Sequence, residues 1–321
     1  MLMSSVFKIH TMPRHSMSWE EFLATTPRNS IALDGIVLGG PRFDPKTNHV
    51  NFDHHDSVIR EATMCTAMQV YMAIKGGLME AYRTNGSASG HIYINDDDQD
   101  TTLAVWLLLK YKLFENTQGN PIVNRIIELT NRWDVTGGAY PMNLDEDLHR
   151  QYNWIFEPYT VLRKSGALAV ANEEVMQSNL EAVMSRLDKA LMGNAEEIPL
   201  DTRHDIIHRG EHYLIVDEIG GNDARVHLFS QGMKAFVSIV AKRPAEKKMV
   251  VSIGRRSQYI PFPVPDLYDD LNRAEGLTQK NGWSGSTIVG GSPRKTGTSL
   301  PIEQIKEIVD ARVASHVKEL T

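Results

Sequence analysis

Hydrophobic and polar positions follow two different periods along the first part of the chain. Three short apolar runs, rich in β-branched residues and closed by acids or glycines, are typical of buried strands. They cover 30–40, 49–55 and 90–96. The segments around them repeat apolar residues every three or four positions, which predicts helices. The predicted helices cover 60–77, 101–114, 120–134 and 173–193. Strands that alternate with helices predict an α/β fold with a mainly parallel sheet.

The pattern changes after residue 195. A polar stretch that contains a proline, 195–205, is the best candidate for a linker between domains. Strand-like runs follow at 212–219, 225–230, 235–243 and 248–256. Next come a proline-rich loop at 260–276, a Gly/Ser-rich loop at 281–301 and a last helix at 302–320. We therefore predict two α/β domains, 1–195 and a smaller one at 205–321.

Composition limits the classes of function. The formal net charge of −6 disfavours a surface that coats long nucleic acids, but it allows a small anionic substrate held by local cations or by metal. The single cysteine, Cys65, cannot form an internal disulfide, and its apolar neighbours predict a buried thiol. No apolar run reaches 18 residues, so we expect no membrane span and a cytoplasmic location.

Acids and histidines gather where the predicted strands end. Asp34 lies in the first strand, "NFDHHDS" closes the second, "NDDDQD" closes the third, and Asp134 follows a helix. Ligands collect at the carboxyl ends of parallel strands, and mixed carboxylate and imidazole ligands suit Mn²⁺ or Mg²⁺. Two such ions can activate water and neutralise a phosphoryl group. Single acids at these positions are also common as turn residues or helix caps, so both interpretations stay open.

Two distant stretches carry a resemblance to a known family. "NFDHHDS" followed by "EATMCTAMQV" resembles the signature of the DHH phosphoesterase superfamily. "VVSIGRR", "DLYDDLNRAEG" and "GWSGSTIVGGSPRKTGTSLP" resemble, in this order, the DHH-associated C-terminal domain. Together the two resemblances span most of the chain. They imply a catalytic first domain, a substrate-binding second domain, an active site in the cleft between them, and two Mn²⁺ ions, with Mg²⁺ as the other option.

The resemblance also implies roles for individual residues. Asp34, 20 residues before His54, would bridge the two ions, and His54 would ligate one of them. Asp53 would support the catalytic site, either as a metal ligand or by a contact with a metal ligand. His55 would face the substrate phosphate. "INDDDQDTTLAVWLL" resembles the family's paired-aspartate motif, and "WDVTGGAY" resembles its last metal motif. The metal ligands implied by these two motifs are Asp98, Asp100 and Asp134.

The metal-binding motifs of the chain depart from the family's pattern in two ways. The Asp-x-Asp motif follows the DHH triplet instead of preceding it, and Ile94 stands where the family has an upstream histidine. His91 or Asp96 could replace that histidine, or one metal site is altered. In an alternative register, Asp98 or Asp100 belongs to the family's last metal motif, and the paired-aspartate motif, which is the family's first, is missing.

The resemblance implies that the stretch "GGSPRKTG" forms a phosphate-binding loop in the second domain, although Ser292 stands about where the family's loop carries a histidine. Successive backbone N–H groups, including those of Gly290 and Gly291, could cradle an anion, and the planar fork of Arg294 could grip phosphate. Arg255 and Arg256 are secondary candidates for the same anion. A plain turn between strands is the structural alternative.

We therefore predict a metal-dependent phosphoesterase that acts on a small phosphate ester, a nucleotide or a short oligonucleotide. The alternative is a catalytically altered DHH-like protein that binds phosphate or nucleotide in regulation. A hydrolase that cleaves a non-phosphate ester with the same metals is a third option. Trp283 could stack on a base or make a domain-closing hydrophobic contact. A homo-oligomer is compatible with each of these interpretations.

Overall fold

A computed structural model describes residues 6–84, 86–278, 280–293 and 295–320. The chain divides into two compact units. The first extends to Val135 and includes Asp147–Pro199, and the second contains Thr136–Glu146 and all residues from Leu200 onward. The break between Pro199 and Leu200 falls inside the stretch predicted as a linker. The segment Thr136–Glu146 groups with the second unit although it precedes that stretch.

A mainly parallel sheet forms the centre of the first unit. Its strands are β1 (Val6–Thr11), β2 (Ser30–Leu33), β3 (Arg42–Asp44), β4 (His49–Phe52), β5 (Arg83–Thr84) and β6 (Ser87–Ile94). The order is β1-β6-β2-β4-β3, and β5 pairs with β6. The pairs β1–β6, β6–β2 and β2–β4 are parallel, whereas β3 runs antiparallel at the edge. Every residue of β2 and β4 is buried, which explains their short apolar runs.

Eight α-helices accompany this sheet among the described residues. They are α1 (Trp19–Thr25), α2 (Thr66–Lys75), α3 (Leu78–Tyr82), α4 (Gln99–Leu109), α5 (Pro121–Thr136), α6 (Asp147–Ile155), α7 (Glu157–Ser165) and α8 (Glu173–Leu191). The run Asp100–Leu108 of α4 is buried without interruption. A helix that is apolar on every side is a core element. This central position fixes the start of α4, where two of the predicted metal ligands lie.

The second unit contains a mixed sheet. Its strands are β7 (Asp205–Arg209), β8 (Leu214–Asp217), β9 (Ala235–Arg243), β10 (Lys248–Arg255), β11 (Ser284–Gly285) and β12 (Val289–Gly291). The order is β11-β12-β10-β9-β8-β7, with β8 and β9 parallel and the other pairs antiparallel. Its helices are α9 (Asn222–Ser230), α10 (Val264–Glu275) and α11 (Ile302–Leu320). The predicted fold class, a mainly parallel α/β sheet followed by a second, smaller α/β domain, is confirmed.

Two predicted elements in the second unit are wrong. Residues 225–230, predicted as a strand, lie in α9. Val226 and Phe229 are both buried three positions apart, but a six-residue window cannot separate this helical spacing from strand alternation. The proline-rich stretch 260–276, predicted as a loop, contains α10. Its prolines stand at the helix start, where the first turn needs no N–H partner, so they favour a helix there.

The described helices include none with the length and apolarity required to cross a membrane.

Candidate metal centre

The ends of two neighbouring strands place the first acids of the centre. β2 and β4 are parallel, and Leu33 stands opposite Phe52 at their carboxyl ends. Asp34 follows Leu33 directly, and its N–H donates to the carbonyl of Phe52 at 2.9 Å. The DHH triplet, which begins at Asp53, follows Phe52. Parallel pairing therefore brings Asp34 and the triplet to one edge of the sheet.

Asp34 is buried and strongly constrained. Its backbone has a φ of 56°, a left-handed conformation that non-glycine residues rarely adopt. Its carboxylate accepts hydrogen bonds on both oxygens, from the hydroxyl of Thr66 to Oδ1 at 2.9 Å and from the hydroxyl of Thr101 to Oδ2 at 2.8 Å. These bonds hold the carboxylate in one orientation. Unusual backbone geometry of this kind concentrates at functional sites.

The acids at the start of α4 take two different structural roles. Asp98 is the N-cap of α4, and its Oδ1 accepts the N–H of Thr101 at 2.9 Å. Asp100 points instead at the start of α2. Its Oδ2 and Oδ1 accept the N–H groups of Thr66 and Ala67, each at 2.7 Å. The carboxylate of Asp100 thus occupies the positive end of α2, which attracts anions.

His54 lies at the centre of the cluster. Its side chain is fully buried, and Nε2 lies 2.7 Å from Asp134 Oδ2 and 3.5 Å from both Asp34 Oδ1 and Asp100 Oδ2. None of these approaches has hydrogen-bond geometry. Nε2, Nδ1 and Asp134 Oδ2 have no hydrogen-bond partner anywhere in the described part of the chain. Buried polar atoms are normally paired, so this convergence of polar atoms without hydrogen-bond partners indicates a place for a cation.

Two overlapping groups of side chains can each hold a metal ion. One contains His54, Asp100 and Asp134, and the other contains Asp34, His54 and His55. Within each group the candidate ligand atoms lie within 4.8 Å of one another. Carboxylate oxygens with imidazole nitrogens suit Mn²⁺, Zn²⁺ or Fe²⁺ without the thiolates that mark a structural zinc site.

His55 and Asp53 lie beside the second group. The ring Nδ1 of His55 lies 3.1 Å from Asp53 Oδ1 and 3.3 Å from Asp34 Oδ1, and 41% of its side chain is exposed. Asp53 is fully buried, and its oxygens also accept the N–H groups of His55 and Asp56. Asp53 therefore orients His55, and the imidazole of His55 is the part of the triplet that meets solvent.

Electrostatics divides the cluster into charged and neutral members. Burial lowers the pKa of His54, but the carboxylates of Asp134 and Asp34 outweigh it and raise the pKa to about 11. Burial raises the pKa of Asp34, but the imidazoles of His55 and His54 hold it well below its ordinary value. The pKa of Asp134 is likewise lowered, since His54 and Arg60 outweigh its burial. Protons on the imidazoles therefore balance these two carboxylates.

Asp98 and Asp100 show the opposite shift. Burial, followed by the negative charge of Asp34, raises the pKa of Asp98 well above its ordinary value. Burial together with Asp34 and Asp134 raises the pKa of Asp100 to about 7. Several carboxylates cannot all be ionised in one buried space without a counter-charge. A divalent cation would supply that charge and let these acids ionise.

The structure places the predicted site residues of the first unit as follows. It brings together Asp34, His54, His55, Asp100 and Asp134, with Asp53 in contact with His55. Asp98 belongs to neither ligand group among the described residues and caps a helix. Ile94, which stands where the family has a histidine, and its two predicted replacements, His91 and Asp96, also lie outside both groups. Ile94 is buried in β6, His91 Nδ1 lies 2.9 Å from His10 Nε2, and Asp96 accepts the N–H of Asp97.

Sequence reasoning missed three residues that hold the centre. Thr66 and Thr101 bind the carboxylate of Asp34. Arg60 donates from Nη2 to the carbonyl of Asp134 at 2.9 Å and from Nε to the carbonyl of Val135 at 3.1 Å. Its Nη2 also lies 3.5 Å from Asp134 Oδ2. No spacing in the sequence marks these residues, because their role depends on contacts between elements.

The candidate phosphate-binding residues of the second unit are placed differently from the loop that was predicted. Gly290 and Gly291 lie in β12, which pairs with β10 and β11. A Cβ on Gly290 would come within 2.2 Å of the Tyr268 hydroxyl oxygen, and one on Gly291 within 2.2 Å of the Val251 carbonyl oxygen. Close strand packing therefore accounts for both glycines.

Two of the three arginines predicted to bind the anion lie among the described residues, and both donate to backbone carbonyls. Arg255 donates to the carbonyls of Thr287 and Ile260, and Arg256 donates to the carbonyl of Met233. Arg294 lies outside the described residues. Trp283 is fully buried in the core of the second unit, and its Nε1 donates to Glu275 Oε2 at 2.7 Å. Trp283 therefore packs within the second unit itself.

Comparison with protein-family models, with curated proteins and with solved structures finds no match to this chain.

Proposed function

We propose that this chain is a metal-dependent phosphoesterase that hydrolyses a small phosphate ester, a nucleotide or a short oligonucleotide. The observation that carries the proposal is the convergence of three carboxylate oxygens on the unpaired Nε2 of buried His54. The resemblance of "NFDHHDS" and the C-terminal stretches to the DHH phosphoesterases supports the choice of reaction. The predicted ions are Mn²⁺ or Mg²⁺, and the donor set of carboxylates and imidazoles is compatible with Mn²⁺.

His54 limits how the two ligand groups can be filled. Both groups contain His54, and the atom that faces all three carboxylates is Nε2. One lone pair on an imidazole nitrogen binds one ion. An ion held by His54, Asp100 and Asp134 would therefore leave a second ion to Asp34 and His55. Unequal affinity for two ions follows from this sharing.

The chain's own residues would perform distinct tasks. A bound divalent ion supplies Lewis acidity, which activates water and offsets phosphoryl charge. Asp53 orients His55, whose Nδ1 faces Asp34 and Asp53, and the other ring nitrogen, Nε2, would bind a phosphoryl oxygen through its N–H. Burial of the carboxylates excludes bulk water from the ligand atoms and strengthens their attraction for cations and for an imidazolium. Arg60 offsets negative charge beside Asp134.

A regulatory protein that binds phosphate without turnover is the second candidate. The placement of Asp98 favours it, because the residue predicted as one of the paired aspartates caps α4 and joins neither ligand group. Both oxygens of Asp100 also bind backbone N–H groups. Two of the predicted ligands are thus wholly or partly engaged in holding helices.

The test combines metal analysis with hydrolysis assays on the full chain. The purified protein should retain or bind Mn²⁺ and should hydrolyse bis(p-nitrophenyl) phosphate, p-nitrophenyl phosphate or a dinucleotide, with EDTA abolishing the activity. His54→Ala should lower kcat/KM by more than about 100-fold, since loss of a residue that merely supports a metal ligand already costs about 10–100-fold.

The matched control is His49→Ala. His49 is a buried histidine of the same sheet, and its ring bonds the hydroxyls of Thr26 and Thr47. This variant should keep Mn²⁺-dependent turnover, and circular dichroism checks that both variants fold. Full turnover in His54→Ala would contradict the metal role. Mn²⁺ binding with no hydrolysis of any phosphate ester would favour the regulatory protein.

A further inference from the structure

Thr66, the first residue of α2, contacts one carboxylate from each ligand group. Its backbone N–H donates to Asp100 Oδ2 at 2.7 Å, and its hydroxyl donates to Asp34 Oδ1 at 2.9 Å. The residue is fully buried. One residue therefore links the two groups through two separate donors, one from its backbone and one from its side chain.

The oxygen that Thr66 contacts is the one nearest to both imidazoles. Asp34 Oδ1 lies 3.5 Å from His54 Nε2 and 3.3 Å from His55 Nδ1. The other oxygen, Oδ2, accepts the hydroxyl of Thr101 at 2.8 Å. With one hydroxyl on each oxygen, the carboxylate cannot rotate without losing a buried hydrogen bond.

We propose that Thr66 is a positioning residue that fixes Asp34 Oδ1 in the orientation required to bind a metal ion beside His54 and His55. The inference rests on the metal centre of the proposed function. Because Thr66 holds Asp100 through its backbone, Thr66→Val removes the bond to Asp34 and keeps the bond to Asp100. The substitution retains the side-chain shape and deletes only the hydroxyl donor.

The experiment measures Mn²⁺ binding without turnover, by the electron paramagnetic resonance signal of free Mn²⁺ during titration of the full chain. Asp34→Asn defines the part of the binding that depends on Asp34. Thr66→Val should weaken the Mn²⁺ binding that depends on Asp34 by about 10–100-fold, the range measured when supporting partners of metal ligands are removed. Mn²⁺ binding that does not depend on Asp34 should be unchanged. Thr66→Ser, which restores the hydroxyl, should bind within about threefold of wild type.

Thr102→Val is the matched control. Thr102 is a fully buried threonine of α4 whose hydroxyl donates to the backbone carbonyl of Asp97, so its loss should leave Mn²⁺ binding unchanged. If Thr66→Val fails to fold, Thr66→Ala provides the same comparison. Wild-type Mn²⁺ binding in Thr66→Val, with weakened binding in Asp34→Asn, would overturn the positioning role alone. Absence of Mn²⁺ binding in the wild-type chain would overturn the metal centre as well.

Discussion

His54 has to change its charge state before it can act as a ligand. In the metal-free chain its ring is protonated at neutral pH, because the carboxylates of Asp134 and Asp34 outweigh its burial and raise its pKa to about 11. A histidine binds metal only in its neutral form. A metal ion must therefore displace the proton that at present balances two carboxylates.

This exchange predicts proton release on Mn²⁺ binding. The affinity of the full chain for Mn²⁺ should rise between pH 6 and pH 9, by up to about tenfold per pH unit, because proton competition weakens as the pH approaches 11. Calorimetric titration in two buffers of different ionisation enthalpy measures the released protons. His54→Ala should release fewer protons than His49→Ala. Identical apparent enthalpies in both buffers would contradict the prediction.

The raised pKa of His54 also determines how the stability of the metal-free fold changes with pH. The pKa of His54 rises from 6.5 to about 11. Its pairing with the carboxylates therefore contributes stability that is fully present below pH 6.5 and is lost as the pH rises through 11.

At the scale of elements, α2 takes its N-terminal cap from another helix. The residue at its N-cap position, Cys65, makes no side-chain cap hydrogen bond. Asp100 of α4 accepts the N–H groups of Thr66 and Ala67 instead. The start of α2 and the metal centre consequently share one carboxylate, so helix stability and ion binding depend on the same side chain.

Because Asp100 caps α2, Asp100→Asn should lower the free energy of unfolding of the metal-free chain by an amount that depends on pH. The substitution removes a helix acceptor, which should lower the free energy of unfolding by about 1–3 kcal/mol at pH 5. The pKa of Asp100 is raised to about 7, so ionising it in the folded chain costs stability as the pH rises from about 4 to 7. The deficit of the variant should therefore shrink at pH 7.5.

Urea unfolding with EDTA at the two pH values measures both deficits. Asn172→Ala is the control, since Asn172 caps α8 through a side chain that does not titrate. Asn172→Ala should lower the free energy of unfolding by about 1 kcal/mol at both pH values. A deficit of Asp100→Asn that grows towards pH 7.5 would show that the carboxylate stabilises the fold more when charged.

Long elements with a clear period could be predicted from the sequence, whereas cross-element contacts could not. The last helix and the strand at 235–243 have the predicted bounds, because their periods extend over nine residues or more. The predicted first strand, 30–40, is too long: β2 ends at Leu33 because Asp34 adopts a positive φ. Sequence reasoning found Asp34 and His54 by motif, and it left open a helix cap such as the local one that Asp98 makes with Thr101. The capping of α2 by Asp100 of α4 could not be predicted, because it is a contact between two elements.

At the scale of the whole molecule, an acidic chain concentrates several of its acids in one buried place. The formal net charge is −6, and Asp34, Asp100 and Asp134 surround a single imidazole. Repulsion among these carboxylates opposes folding at neutral pH, and a divalent ion would remove it. Metal binding should therefore contribute to the stability of the fold as well as to chemistry.

This coupling predicts thermal stabilisation by Mn²⁺. A ligand at 100 times its Kd stabilises the folded state by about 2.7 kcal/mol, so the unfolding midpoint should rise by several degrees. Scanning calorimetry of the full chain with Mn²⁺ or with EDTA measures the rise. His49→Ala should respond like wild type, and His54→Ala should show a smaller rise. An equal midpoint with and without Mn²⁺ in the wild-type chain would show that the centre binds no ion when folded.

The left-handed backbone of Asp34 bears on how this sequence can diverge. At a φ of 56°, glycine fits the backbone more easily than aspartate does, and asparagine is tolerated there as aspartate is. Mutational drift should therefore replace Asp34 readily once selection on its carboxylate ends. In descendants of this chain, glycine or asparagine at position 34 would mark lineages that have given up the ion, and aspartate would mark lineages in which the chemistry is still under selection.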